Sequence, residues 1–256
     1  MLDQASKHQV VSREEWTAAR KAHLLREKEL TRLRDRVRAE RRALPWVKVD
    51  KTYVFDGPNG KETLAQLFGA NSQLIVYHFM WRWDLDTGCD GCSFLSDHID
   101  GANLHLAHHD VSLVVISRAP LAKLAAYRKR MGWRFKWVSS LASDFNYDYH
   151  VSFTKDDLAK GKVYYNYQMT EASIGELPGL SVFYKDAAGE IFHTYSSYGR
   201  GGDLLIGAYN YLDLTPKGRN ETTIMDWMRR HDEYEDSDAR SCCGTDASRP
   251  AEQRRA

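Results

Sequence analysis

This sequence predicts an α/β fold, a central mixed sheet flanked by helices, and three observations predict it. Two strongly apolar runs, residues 74–81 and 111–117, read as strands buried on both faces, as central parallel strands are. A Cys-x-x-Cys, Cys89-Asp90-Gly91-Cys92, follows the first run after a polar connector and opens a helix-favouring stretch at 93–109. Late in the chain, Pro178-Gly179 leads into two short runs joined by a turn, the pattern of an antiparallel hairpin.

Taken in order, Ser12 with Glu15 three residues on forms a capping box ahead of residues 13–42, which hold no Gly or Pro; Pro45 punctuates the end. Trp16, Leu24, Leu30, Leu33 and Val37 make an imperfect apolar stripe on this helix. Its other face is rich in arginine, but six acidic residues interleave, so a docked or paired amphipathic arm is expected over residues 1–45 rather than a phosphate-binding one. A homodimer through this helix is one expected use. Residues 46–55 alternate as a strand, 56–60 make a turn, and 61–68 read as a short helix. Beyond the cysteine helix come the strand at 111–117, a helix at 120–131 with Pro120 at its start and Gly132 at its end, and a third strand at 135–138. Short links between these units imply parallel pairing with right-handed crossovers.

Residues 139–177 are aromatic and polar without a clean period, and an inserted subelement or a wall of the active site is expected there. The hairpin pairs 180–184 with 190–195 about a turn at 186–189. Asp203 is placed to cap a closing helix at 203–212, and 222–234 reads as one more short helix. Residues 235–256, rich in Ser, Asp and Arg, are expected to form a disordered tail, leaving the main domain at 46–234. Parallel β-α-β units, a dithiol at a strand-to-helix junction, a late Pro, a hairpin and a final helix follow a thioredoxin-like order. Ligands of such sheets gather beyond the C-terminal ends of the strands, where Cys89 would lie.

Composition narrows the function classes. A formal net charge of +1 gives no whole-chain argument for nucleic acid or membrane as partner. No run approaches the ~18 apolar residues of a membrane span, and the first residues lack the apolar stretch of a secretory signal. A cytoplasmic location is therefore expected, where paired cysteines are more often catalytic or metal-binding than structural.

The chemistry centres on Cys89 and Cys92. Two intervening residues put both sulfurs on one helical turn, and a helix N-terminus favours thiolate over thiol. Cys89 is the expected nucleophile and Cys92 the resolving partner of a thiol–disulfide exchange, with no organic cofactor; a disulfide-containing protein or a small thiol compound would be the substrate. Asp90 opposes the thiolate by like charge, and Arg82 favours it if the connector folds back. Zinc binding is the competing reading, since His98, His105, His108 and His109 lie downstream. However, His98 is too far along the helix from Cys92 to close a tetrahedron. A buried, inert dithiol is a third. A peroxiredoxin mechanism fits less well, because the positions three and seven before Cys89, where Thr or Ser and Pro are wanted, hold Asp86 and Arg82. Candidate substrate-binding residues are Trp81, Arg82 and Trp83 upstream of the pair, Pro178, His193 on the returning strand, and Arg200 in a glycine-rich loop. Tyr147 and Tyr149 are further candidates for an aromatic lining. Cys242-Cys243 reads as a pair of exposed tail thiols.

Several stretches together, VSREEWTAARKAHLLREKELTRLRD, HFMWRWDLDTGCDGCSF, SVFYKDAAGEIFHTYSSYGRG, YLDLTPKGRNE and MDWMRRHDEY, resemble the thioredoxin-like family catalogued as domain of unknown function 899, over residues 11–234. The resemblance implies a thioredoxin-like fold and a dithiol–disulfide oxidoreductase or isomerase role, with no particular substrate. Two features depart from ordinary thioredoxins. Their Trp directly before the first cysteine is absent here, Trp81 and Trp83 lying eight and six residues upstream. Their cis-proline beside the dithiol has only Pro178 as a counterpart, with Gly179-Leu180-Ser181 between it and Val182.

Overall fold

The computed structural model describes residues 8–234, so the tail at 235–256, with Cys242 and Cys243, lies outside the described residues. Helix α1 (Arg13–Arg42) starts at the expected capping box: Ser12 Oγ accepts the Glu15 N–H at 3.2 Å and the Glu15 carboxylate accepts the Ser12 N–H at 2.9 Å. None of its residues is buried, and Trp16, Leu30, Leu33 and Val37 all face outward, so the stripe is not docked on its own domain. Only the end is tied down, by Arg41 stacked over Tyr195 and Trp46 packed on Tyr184 and Phe192.

The single strand expected at 46–55 is two. Strand β1 (Val47–Lys48) pairs with one edge of the sheet, whereas β2 (Val54–Gly57) joins the other, so the chain must cross between them. The helix expected at 61–68 gives up its first half to β3 (Gly60–Thr63), which returns along β2 through Pro58-Asn59, with Gly60 at φ +114°. An Asn-Gly pair at such a turn is a hairpin signal. Only α2 (Leu64–Leu67) remains helical, capped by Thr63.

The central strand β4 (Gln73–His78) stops three residues short of expectation. Trp81–Arg82 (β5) instead folds against Thr87–Gly88 (β6) as a small hairpin. Helix α3 (Asp90–Ser96) and α4 (Ile99–Ala107) split the single helix expected at 93–109. Strand β7 (Val111–Ser117), α5 (Leu121–Arg130) and β8 (Lys136–Ser139) follow as read from the sequence. The irregular stretch 139–177 holds α6 (Phe145–Asp148), α7 (Lys155–Ala159) and a hairpin of β9 (Lys162–Tyr165) with β10 (Gln168–Glu171). Strands β11 (Gly179–Lys185) and β12 (Ile191–Tyr198) form the late hairpin, and a 3-10 turn (Gly199–Leu205) leads to α8 (Gly207–Leu212).

The closing helix starts at Gly207 rather than Asp203, because the Asp203 carboxylate holds Arg200 and Arg219 instead of capping. No helix spans 222–234. The Asp226 carboxylate accepts the N–H groups of Thr222 and Thr223, Met225 sits at φ +64°, and only His231–Glu233 turns as a 3-10 segment.

The main sheet runs β1-β12-β11-β4-β7-β8-β2-β3, with β4, β7 and β8 parallel, β11 antiparallel to β4, and β12 antiparallel to β11. This is the expected thioredoxin-like mixed sheet. Because side chains alternate across a strand, β4 splits its residues between two cores. Tyr77 and Phe79 join Trp137, Leu95 and Cys92 on one face. Leu74 and Val76 meet Ile116, Val138 and Phe145 on the other. Among the described residues no helix is long and apolar enough to cross a membrane.

Candidate active site

Three hydrogen bonds to main-chain oxygens bring the cysteines to the end of β4. Phe79 donates its N–H to Ile116 O at 2.9 Å, Ser117 Oγ donates to Phe79 O at 2.7 Å, and the Cys89 N–H returns to Met80 O at 3.2 Å. Gly88 is required at that return, since a Cβ there would lie 2.6 Å from the Tyr127 ring. Cys89 is the N-cap of α3, partly exposed, and Cys92 lies buried one turn on; both are free thiols.

Their environments differ in sign. The Cys92 thiol hydrogen-bonds to the Cys89 sulfur, as do the N–H groups of Cys92 and Gly91, and these lower the Cys89 pKa from 9.0 to about 7 against burial and the Asp90 charge. Burial, the bond to Cys89 and the negative charge there hold Cys92 well above its ordinary value. The Tyr77 hydroxyl reaches the Cys92 sulfur, and its own pKa is pushed up mainly by burial. Near neutral pH a large fraction of the pair is thus a thiolate backed by a thiol, the state needed for attack followed by resolution.

The last described segment builds the other side of the site. Arg230 donates to Gly88 O at 3.0 Å and to the Tyr127 hydroxyl at 2.8 Å, and pairs with the Asp90 carboxylate at 2.6 Å. Ser93 Oγ donates to Cys89 O at 2.8 Å and lies 2.9 Å from the Tyr127 oxygen, so the Tyr127 proton points to Ser93. A continuous chain, Arg230 to Tyr127 to Ser93 to Cys89 O, therefore fixes the start of α3. Met225 covers Gly91, where an added Cβ would come within 2.9 Å of its sulfur. Alkylation by iodoacetamide is expected to accelerate through pH about 7. Asp90→Asn removes the opposing charge, so its midpoint is expected to fall, with the rate at pH 6 rising on the order of threefold. An unchanged profile would show that the aspartate charge is fully compensated by Arg230.

Of the residues picked from the sequence, Cys89, Cys92, Pro178 and Arg200 share the wall of one cavity of about 290 Å³. Pro178 directly precedes the first residue of β11, so no spacer separates it from the strand, and no cis peptide bond occurs among the described residues. Trp81, Arg82 and Trp83 do not reach this cavity. They border a separate hollow with Glu176, whose carboxylate accepts the Trp81 N–H at 3.0 Å and the Trp83 Nε1–H at 3.2 Å. Arg82 is engaged first by Asp84 at 2.8 Å, and the Cys89 charge acts on it as a smaller influence. His193 also lies elsewhere, ending a buried chain from His78 through Ser181 and Ser196. Tyr147 stacks under Arg118 and Tyr149 belongs to the opposite core.

His98 is occupied structurally, its Nδ1 on Phe94 O at 2.8 Å and its Nε2 accepting the Ala208 N–H at 3.1 Å. No group of three or more His, Cys, Asp or Glu side chains arranged to hold a metal occurs among the described residues. Sequence reading missed Tyr77, Arg230 and Met225. Tyr77 was legible in principle, since it alternates onto the face of Phe79, the side the cysteine helix covers. Nothing local marks Arg230, which is 138 residues from Cys92 in the chain.

A thiolate–thiol pair capping a helix after the central strand of a mixed sheet defines the class: a thioredoxin-like dithiol protein. The chain belongs to the bacterial protein family of unknown function DUF899, whose model matches residues 5–234. No curated protein matches it. Among solved structures it is similar to Xanthomonas campestris peroxiredoxin Q, at 11% identity over 66% of this chain and 96% of that one, TM-score 0.43. Peroxidoxin BcpB from Mycobacterium tuberculosis is similar at 11% identity, over 66% and 97%, TM-score 0.44. A candidate thiol:disulfide interchange protein DsbE from Chlorobium tepidum is similar at 11% identity, over 64% and 97%, TM-score 0.38.

Proposed function

We propose that this protein is a thiol–disulfide oxidoreductase working through Cys89 and Cys92 in a reducing cytoplasm, without an organic cofactor. The observation that carries the reading is the asymmetry of the pair: a partly exposed sulfur stabilised as thiolate, hydrogen-bonded by a buried thiol on the next turn. Cys89 attacks one sulfur of a substrate disulfide, and the departing thiolate takes the electron pair of the broken S–S bond. While Cys89 is held in the mixed disulfide its negative charge is gone, and one obstacle to ionising Cys92 goes with it. Cys92 then attacks Cys89, the second substrate thiolate leaves, and the protein keeps an intramolecular disulfide.

Differential alkylation with mass spectrometry across a series of glutathione redox potentials tests this. Cys89 and Cys92 are expected to lose alkylation together, in a single two-electron transition, and to recover it on reduction. A pair that stays alkylatable at every potential would sink the proposal.

A further inference from the structure

Resting on that reading of the dithiol, we propose that the substrate is a small apolar organic disulfide that enters the cavity beside Cys89, and not the disulfide of a polypeptide. Cys89 and Cys92 lie in one wall of the cavity, and Tyr77, Leu95, Leu180, Ile206, Ile224 and Met225 give it apolar side chains. Its about 290 Å³ is at the lower end of ligand pockets, ~300–1,000 Å³, room for two short alkyl or aryl arms. The charged members add little field, because Arg200 is paired with Asp203 at 3.1 Å and Asp203 with Arg219 at 3.0 Å.

A polypeptide would need main-chain partners at this mouth, since extended substrates bind by adding their backbone to exposed N–H and C=O groups. Those groups are already used. The Tyr165 hydroxyl, projected from the inserted hairpin, donates to Pro178 O at 2.6 Å and accepts the Gly199 N–H at 2.8 Å. Gly179 is paired on both sides, with His78 and Tyr198. Arg230 occupies Gly88 O, and Met225 lies over Gly91. The segment that covers Gly88 O and Gly91 also gives the cavity the apolar side chains of Ile224 and Met225.

The reaction balances as R–S–S–R plus the two thiols of Cys89 and Cys92 giving two R–SH and the Cys89–Cys92 disulfide. Two electrons pass from the protein to the substrate, with one proton for each departing thiolate. A cellular dithiol or glutathione-class thiol restores the reduced pair.

Prereduced full-length protein is mixed separately with diethyl disulfide, oxidised glutathione and insulin, and formation of the Cys89–Cys92 disulfide is followed by acid quench and alkylation. Each rate is divided by that of the same disulfide with dithiothreitol, which removes differences in leaving ability. The normalised rate with diethyl disulfide is expected to exceed both others at least tenfold. Ile224→Asp, a change at a side chain 63% exposed on the cavity rim, is expected to cut the ratio of diethyl disulfide to glutathione about tenfold. A normalised rate with insulin or glutathione equal to that with diethyl disulfide would overturn the proposal, as would a ratio indifferent to Ile224→Asp. If none of the three oxidises the pair, the dithiol reading itself fails, which is a distinct result.

Discussion

Cys92→Ser is expected to turn the protein into a trap: incubated with a disulfide it accumulates a mixed disulfide at Cys89 that persists for hours, whereas the unmodified protein clears it. The expectation follows from the division of labour between the two sulfurs. Attack needs only Cys89, which is partly exposed and keeps the N–H bonds of Gly91 and residue 92. Release needs a nucleophile on the next turn, and a serine hydroxyl is a far poorer one than a thiolate. The serine hydroxyl of the variant is itself a donor and can replace the thiol hydrogen bond that contributes most to lowering the Cys89 pKa, so Cys89 keeps its capacity for attack. Cys89→Ser should form no adduct, because Cys92 is buried and held as thiol. Intact mass of the two variants after reaction with oxidised glutathione separates these outcomes. An adduct on Cys92 in the Cys89→Ser protein, with none on Cys89 in the Cys92→Ser protein, would reverse the assigned roles.

Trp137→Ala is expected to cost about 3–5 kcal/mol of stability, the range for a large aromatic removed from a packed core. Trp137 is 2% exposed on β8 and packs against Phe79, with ring centres 4.6 Å apart, and against Trp133, Phe135 and Tyr127. Its Nε1–H donates to Ser117 Oγ at 3.0 Å, and that hydroxyl donates to Phe79 O, which fixes the chain just before the cysteine turn. Trp137→Phe keeps most of the packing but leaves Ser117 one donor short, so a loss of about 1 kcal/mol is expected. Urea unfolding of the three proteins measures both numbers. Equal losses for alanine and phenylalanine would mean that the hydrogen bond, and not the ring, carries the effect.

The fold was legible where periodicity and burial agree. The strand at 111–117 and the helices at 13–42 and 120–131 appear where apolar runs, caps and breakers place them. It was illegible where tertiary partners override local pattern. Residues 46–55 alternate like one strand, but their partners lie on opposite sheet edges and divide them. Residues 222–234 read as a helix, yet Asp226 and Arg230 spend their side chains on capping and clamping instead. At the site, the dithiol announced itself through spacing and the preceding strand, and Pro178 and Arg200 by their neighbours. Trp81, Arg82 and Trp83 line a separate hollow with Glu176 and not the cavity that holds the sulfurs. The residues that tune and roof the pair, Tyr77, Arg230 and Met225, come from elements whose approach only the assembled sheet reveals.

Both margins of the main sheet are laid down by one short ribbon: Val47–Lys48 borders β12, and Val54–Gly57 with Gly60–Thr63 borders β8. Unpaired strand flanks recruit other chains. A fragment beginning after Thr63 would keep the cysteines and the central parallel strands, yet it would present two raw backbone seams at once. Such a fragment should self-associate, which makes the ribbon a guard for solubility as much as a piece of the fold.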